Sequence, residues 1–327
     1  MNQDKTFTGE EFLQLQKEKE ELAGELNGLK LYFSELEATN NHLVSATWRE
    51  RDMKKKLAET IEELNATKII LDNQNKRITE SINYSKKIQS AINPTEEDLQ
   101  KHYPNSFILY LPKDVISGDF PWTYDNGDDF YVASVDCTGH GVPGAMMSMI
   151  GNLLLKQIVN DHSVQNPSEI LKRLHEAVVK TLRQDESHSN SNDGMDMGLC
   201  RINKAKKEVS FSGAHRPLFL LRNGQVEIIS GDKFPIGGMH YRGKNNYTDF
   251  VFTYAEGDSI FLFTDGLPDQ VGGTEKKKLM TKNVKTIIES KAGLKMDQLK
   301  AELGAFLLEW KGDNKQVDDI LLIGINF

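Results

Sequence analysis

Apolar residues in the first third of the chain recur with a seven-residue beat. Leu15, Leu22, Leu29, Leu36 and Leu43 set it, and the same series resumes at Leu57, Leu64, Leu71 and Ile78. Leu26, Phe33, Ile61 and Ile82 stand four residues beyond members of the series, so one heptad frame runs from about Phe12 to Ile82 with Leu at d. A sustained 3.5-residue period predicts a left-handed coiled coil. No proline interrupts it, since all nine prolines lie at Pro94 or later. Asn40 and Asn75 fall on a positions, which favours a parallel two-stranded register. Thr47, Glu50 and Lys54 weaken the centre of the seam, Gly24 and Gly28 lie outside it, and Glu25 can pair with Lys30 of a partner helix. The expected assembly is a parallel homodimer; a single long helix lying along the rest of the chain is the alternative.

From Phe107 the pattern changes to short apolar runs separated by Gly, Pro, Asn and Asp. Runs 107–111, 130–135, 209–212, 218–221, 226–229, 250–253, 260–263 and 320–323 read as strands. Asn223-Gly224 reads as the turn of a hairpin. Helical patterns cover 143–159, 167–182, 283–290 and 296–310. Hairpin strands with helices set apart predict an α+β domain. The expected division is a coiled coil with a connecting helix over 1–93 and the α+β domain over 94–327. Ser85 and Gln89 take over the core positions where the coil ends, so the helix is expected to leave the seam there and offer Ile88 and Ile92 to the following domain.

Composition narrows the class. The 327 residues carry a formal net charge of −8, which argues against a general nucleic-acid binder. Two cysteines, Cys137 and Cys200, make no disulfide framework and suit reduced thiols. No uninterrupted apolar run approaches the length of a membrane span, and residues 1–5 lack the apolar core of a signal peptide. A cytoplasmic location is the expectation.

Candidate chemistry lies in four acidic segments: Ser117-Gly118-Asp119-Phe120, Asp136-Cys137-Thr138-Gly139-His140-Gly141, Thr264-Asp265-Gly266 and Val317-Asp318-Asp319-Ile320. Three of them adjoin strand-like runs, so carboxylates far apart in sequence can converge. An Asp cluster without His or Cys side chains is hard, oxygen-only ligation, suited to Mg²⁺ or Mn²⁺. Two such ions would make a phosphoryl-transfer or hydrolysis site.

These segments, in this order and spacing, resemble the motifs of the stage II sporulation protein E (SpoIIE) type of metal-dependent, type 2C-like serine/threonine phosphatase. Asp193-Gly194-Met195-Asp196-Met197, Ser212-Gly213-Ala214-His215-Arg216-Pro217 and Phe234-Pro235-Ile236-Gly237-Gly238 extend the resemblance, which covers about residues 85–327. It implies a four-layer sandwich, two antiparallel sheets flanked by helices, with two Mn²⁺ or Mg²⁺ ions at one end. It implies that Asp136 bridges the ions, that the carbonyl of Cys137 ligates the second, that Asp265 and Asp318 complete the first, and that Asp119 serves the second directly or through water. These four Asp are the expected catalytic set, with Asp319 behind them. The implied reaction is attack of metal-activated water on a phosphoester of a phosphorylated protein, such as an anti-sigma-factor antagonist in partner switching. The helix before the domain resembles a family switch helix.

Within this frame His140 reads as a turn histidine more readily than as a general acid, and Arg216 as a surface residue more readily than as a phosphate ligand. Pro121 departs from the aromatic usual after Gly-Asp-Phe, and the third-metal Asp of eukaryotic relatives has no evident counterpart. A dimeric pseudophosphatase scaffold and a different two-metal hydrolase, such as a phosphodiesterase, are the competing readings.

Overall fold

The computed structural model describes residues 8–161, 165–184, 191–238 and 246–327; residues 1–5, read above for a signal peptide, lie outside these. Helix α1 (Gly9–Ile92) is followed by α2 (Glu96–His102), β1 (Ser106–Leu111), β2 (Phe120–Asp125), β3 (Asp129–Cys137), α3 (Gly141–Val159) and α4 (Pro167–Thr181). Then come β4 (Gly194–Asn203), β5 (Glu208–Ala214), β6 (Leu218–Arg222), β7 (Gln225–Ile229), β8 (Ile236–Gly237), β9 (Phe250–Thr253) and β10 (Ser259–Phe263). The chain ends with α5 (Gly266–Asp269), β11 (Val271–Gly272), β12 (Lys277–Lys278), α6 (Thr281–Ser290), α7 (Met296–Lys311) and β13 (Ile320–Asn326). It divides into two compact units at Arg77/Ile78.

In the first unit the heptad residues Leu22, Leu29, Leu36, Leu57 and Leu64 lie on helix and are 52–66% exposed in the single chain. Such a row of exposed leucines on one helix is what a partner helix would cover.

The second unit is an α+β sandwich of antiparallel sheets. One sheet has the order β1-β13-β10-β6-β7, the other β2-β3-β4-β5-β9 with β8 beside β4. Their central strands, such as β10 and β13, are apolar on both faces because each face is covered, whereas the edge strands β7 and β9 leave residues such as Ile228 and Val251 exposed. Phe130 and Val132 of β3 meet Ile260, Leu262, Leu321 and Ile323 between the sheets. The alternate residues Tyr131, Ala133 and Val135 turn outward to Met147, Leu155 and Val159 of α3 and Ile170, Leu171 and Leu174 of α4. On the opposite side Phe261, Phe263, Ile320 and Leu322 pack on Val284 and Ile288 of α6 and Met296, Leu299 and Leu303 of α7. The period-2 alternation thus produces four layers.

Local rules set several boundaries. Asn223 (φ 53°) and Gly224 (φ 77°) take the left-handed conformations that a tight hairpin between β6 and β7 needs. Helix α3 starts at Gly141, two residues before the expected Pro143, and proline fits its first turn. Although α3 is long and apolar enough to cross a membrane by composition, it is a core helix that buries Met147, Leu155 and Val159. Pro121 lies on β2, paired only with β3 at the sheet edge, the place in a sheet where proline is tolerated.

The end of α1 docks differently from the expectation. Ile88 and Ile92 remain 39% and 36% exposed, while Gln89 is buried. Its carboxamide Nε2 donates to the Ser117 carbonyl (2.7 Å) and to Ser148 Oγ (2.9 Å), and its Oε1 accepts from Ser117 N–H (3.2 Å). A polar side chain wins this contact because the loop before β2 presents a backbone N–H and C=O that need partners.

Candidate active site

The four candidate carboxylates lie at ends of strands that pair so as to bring them together. Asp136 is the penultimate residue of β3; Asp119 directly precedes β2, its neighbour. Asp265 follows β10, and Asp318 precedes β13, which pairs antiparallel with β10. Thr264 joins the latter two ends: its N–H donates to Leu321 O (3.1 Å), and its hydroxyl accepts from Leu321 N–H (3.0 Å). Asp136, Cys137, Asp265 and Asp318 line one cleft of about 270 Å³, with Asn192, Asp196, Arg216 and Gly237 among its other walls.

Asp119 sits behind the cleft, 3% exposed, and its Oδ2 has no hydrogen-bond partner. Burial first, then the charge of Asp136, pushes its carboxyl well above the usual range, against a hydrogen bond from Thr264. Asp136 is pushed up to about 7, by burial and by Asp265 and Asp196, against the pull of Arg216. Burial also raises Asp318, opposed by its hydrogen bond from Asp319 N–H (2.8 Å).

Asp319 faces away from the cleft. Its Oδ1 accepts from Lys113 N–H (2.7 Å) and its Oδ2 from Gly118 N–H (2.8 Å), so it braces the loop that carries Asp119. That loop runs close to the turn after β3. A Cβ at Gly118 would come within 2.5 Å of Gly139 O, and one at Gly144 would strike the same oxygen. Only glycine allows this approach of backbones. The Cys137 thiol is buried in the core and raised by burial, so the residue can offer a cation only its backbone oxygen. His140 Nδ1 lies 2.8 Å from Asp114 Oδ2, which satisfies the ring as a turn histidine.

Two residues received no adequate role from the sequence. Asp196 faces Asp136 directly across the β3–β4 ladder. Arg216, expected at the surface, is buried to 15% side-chain exposure at the cleft. Its Nη2 lies 3.0 Å from Asp136 Oδ2, 2.9 Å from Asp196 Oδ2 and 2.8 Å from Asp265 Oδ2. Burial opposes its charge, but the three carboxylates outweigh burial and the net shift is upward. The signal for Asp196 was its parity: on β4 it shares the face of Cys200 and Ile202, which point between the sheets.

The donor set fits hard divalent cations. It is all oxygen, it is over-supplied with negative charge, and one buried carboxylate oxygen is unsatisfied. Around Arg216 Nη2 the oxygens of Asp136 and Asp265 stand at 3.0 and 2.8 Å, the spacing of a nitrogen partner. Among the described residues no group of three or more acidic, His or Cys side chains is drawn in to metal-ligand spacing.

The SpoIIE (stage II sporulation protein E) family matches residues 126–327. Among solved structures, the SiaA-PP2C domain of Pseudomonas aeruginosa is 28% identical at a TM-score of 0.70, covering 77% of this chain and 98% of its own. The PP2C phosphatase domain of SpoIIE from Bacillus subtilis, with a fragment of its regulatory domain, is 17% identical at a TM-score of 0.52, covering 68% and 61%. The RsbU and RsbW domains of Rv1364c from Mycobacterium tuberculosis are 20% identical at 0.53, covering 68% and 59%. No curated protein sequence matches significantly. With the matched segment spanning most of the sandwich, the chain belongs to the stage II sporulation protein E family of PP2C-type phosphatase domains.

Proposed function

We propose that the chain is a Mn²⁺- or Mg²⁺-dependent phosphatase of phosphoserine and phosphothreonine in proteins, working in bacterial signalling. The observation that supports this is the convergence of Asp136, Asp265 and Asp318 on one open cleft, with the unsatisfied Asp119 oxygen behind it. Asp136, Asp265, Asp318, Asp119 and the carbonyl of Cys137 would hold the two ions. When bound, they supply an activated water and positive charge for the phosphoryl group. The chain's own part is positioning. Asp319 fixes the loop bearing Asp119 through Lys113 and Gly118, and Thr264 ties the ends bearing Asp265 and Asp318.

The substrate class in this proposal is a phosphorylated protein such as an anti-sigma-factor antagonist. The seam over Leu15 to Ile78 makes the chain a parallel dimer, and residues 1–93 carry control to 94–327, in a cytoplasmic setting. One feature favours the competing scaffold reading: a guanidinium already stands among the carboxylates. Turnover decides between them. Purified protein should release phosphate from a phosphoserine protein with Mn²⁺, stop in EDTA, and leave a nucleotide diester intact. Absence of Mn²⁺-dependent release would leave the scaffold.

A further inference from the structure

Arg216 is poorly served where it stands. Its Nη2 carries two hydrogens but has three carboxylate oxygens within 3.0 Å. Two contacts, to Asp196 and Asp265, have hydrogen-bond geometry. Asp136 is met by charge alone, and Nε is buried without an acceptor. A compact divalent ion can serve several oxygens at once where an NH₂ group cannot.

Asp196 is built as a holder for this arginine. Its Oδ1 lies 2.9 Å from His215 Nδ1, and its Oδ2 lies 2.9 Å from Arg216 Nη2. His215 itself has φ of 58°, a left-handed conformation that is costly for a residue other than glycine. Asp232 O fixes the turn by accepting from His215 N–H (2.8 Å). The turn between β5 and β6 therefore aims Arg216 at the carboxylates and gives it a partner outside the ligand set.

We propose that Arg216 is a resident counter-cation of the cluster, which metal ions displace from Asp136 and Asp265 while Asp196 retains it. The inference rests on the metal-dependent reading above. Without Arg216, carboxylates facing one another across β3 and β4 would repel in a desolvated cleft. With it, the cluster is compensated before metal arrives, and the affinity for metal is what remains after Arg216 is moved aside. Arg216 is thus a residue that sets the metal requirement.

The test is titration of the full chain with MnCl₂ by calorimetry, with unfolding temperatures in EDTA. Arg216→Gln should bind Mn²⁺ about tenfold more tightly or better, since a unit charge a few ångströms from the ions is removed. It should also be less stable than wild type in EDTA and regain that stability with Mn²⁺. Arg216→Lys should lie between the two in affinity. Asp196→Asn, which removes the holder, should weaken Mn²⁺ binding, and the double variant should recover it. Damage to the fold would weaken all variants alike, so tighter binding in one and weaker in the other is the signature. Equal or weaker Mn²⁺ affinity in Arg216→Gln overturns the inference while the phosphatase reading stands. Absence of Mn²⁺ binding in both wild type and Arg216→Gln overturns both.

Discussion

Asp136 and Asp196 are directly opposed residues of neighbouring antiparallel strands, both on the face that points between the sheets. Like charges in that relation destabilise a sheet unless a cation lies between them. Here Arg216 Nη2 does so, 3.0 Å from one and 2.9 Å from the other. The pair is therefore a structural cost accepted for a site that gathers positive charge.

That cost makes the first prediction two-sided. Asp136→Asn should lower Mn²⁺-dependent phosphate release by at least about a hundredfold, more than loss of an outer partner would. Its unfolding temperature in EDTA should be unchanged or higher, because the amide does not carry the cost of burying the Asp136 charge, which raises that carboxyl even against the pull of Arg216. Release assays and thermal melts on the same preparation check this. Residual Mn²⁺-dependent turnover close to wild type would remove Asp136 from the site.

Assembly is open to a direct measurement. Leu22, Leu29 and Leu36 are more than half exposed in the single chain and share one heptad position. The full chain should scatter light as about twice its 37.0 kDa mass at micromolar concentration. Replacing Leu22, Leu29 and Leu36 together with Asp should bring the mass to that of one chain. A wild-type mass of one chain would refute the coil.

Much of the sandwich was legible because its strands carry unusually clean local signals. The run Ile260–Phe263 is apolar on both faces, which only a strand covered on both sides tolerates, and Asn223-Gly224 names the turn between β6 and β7. The convergence of Asp136, Asp265 and Asp318 on one cleft was legible for the same reason, since each adjoins such a run, whereas Asp119 does not. Arg216 was not legible. An arginine next to a proline in a turn reads as solvent-facing, since arginine is rarely buried without partners. Its partners come from β3, β4 and the end of β10, and no local pattern joins those. Gln89 failed in the opposite direction. Apolar Ile88 and Ile92 look like the docking residues, yet what the loop before β2 lacks is hydrogen-bond partners, not apolar contact.

Stability should depend on pH through a histidine remote from the carboxylates. His175 of α4 is buried, and its Nδ1 accepts from Gly237 N–H (3.0 Å). Burial lowers its pKa, against a hydrogen bond to Pro235. The sign follows from linkage: the unfolded chain takes a proton near the ordinary value of about 6.5, while the folded chain resists it. The neutral ring's contribution is thus full above that pH and is lost progressively as pH falls below it. Urea midpoints from pH 7.5 to 5.5 should fall further for wild type than for His175→Gln. Parallel falls in the two proteins would remove His175 as a cause.

The end of α1 offers the test of control. Gln89 makes three hydrogen bonds to the Ser117 backbone and Ser148, and Ser117 Oγ in turn accepts from Asp119 N–H (3.0 Å). One buried carboxamide therefore stands two residues from a proposed metal ligand, on the helix that carries the heptads. Gln89→Leu keeps volume but leaves the Ser117 N–H and C=O without partners, at a cost of about 1–3 kcal/mol. Amide exchange should accelerate at Ser117, Gly118 and Asp119 more than in β10 or β13. If the helix bears on the site through this contact, the Mn²⁺ concentration for half-maximal phosphate release should rise as well. Ile88→Ala, whose side chain is 39% exposed, should leave that concentration unchanged. A destabilised Gln89→Leu protein with an unaltered Mn²⁺ requirement would reduce Gln89 to an anchor. A raised requirement with local exchange confined to 117–119 would establish the helix end as a control point for the site.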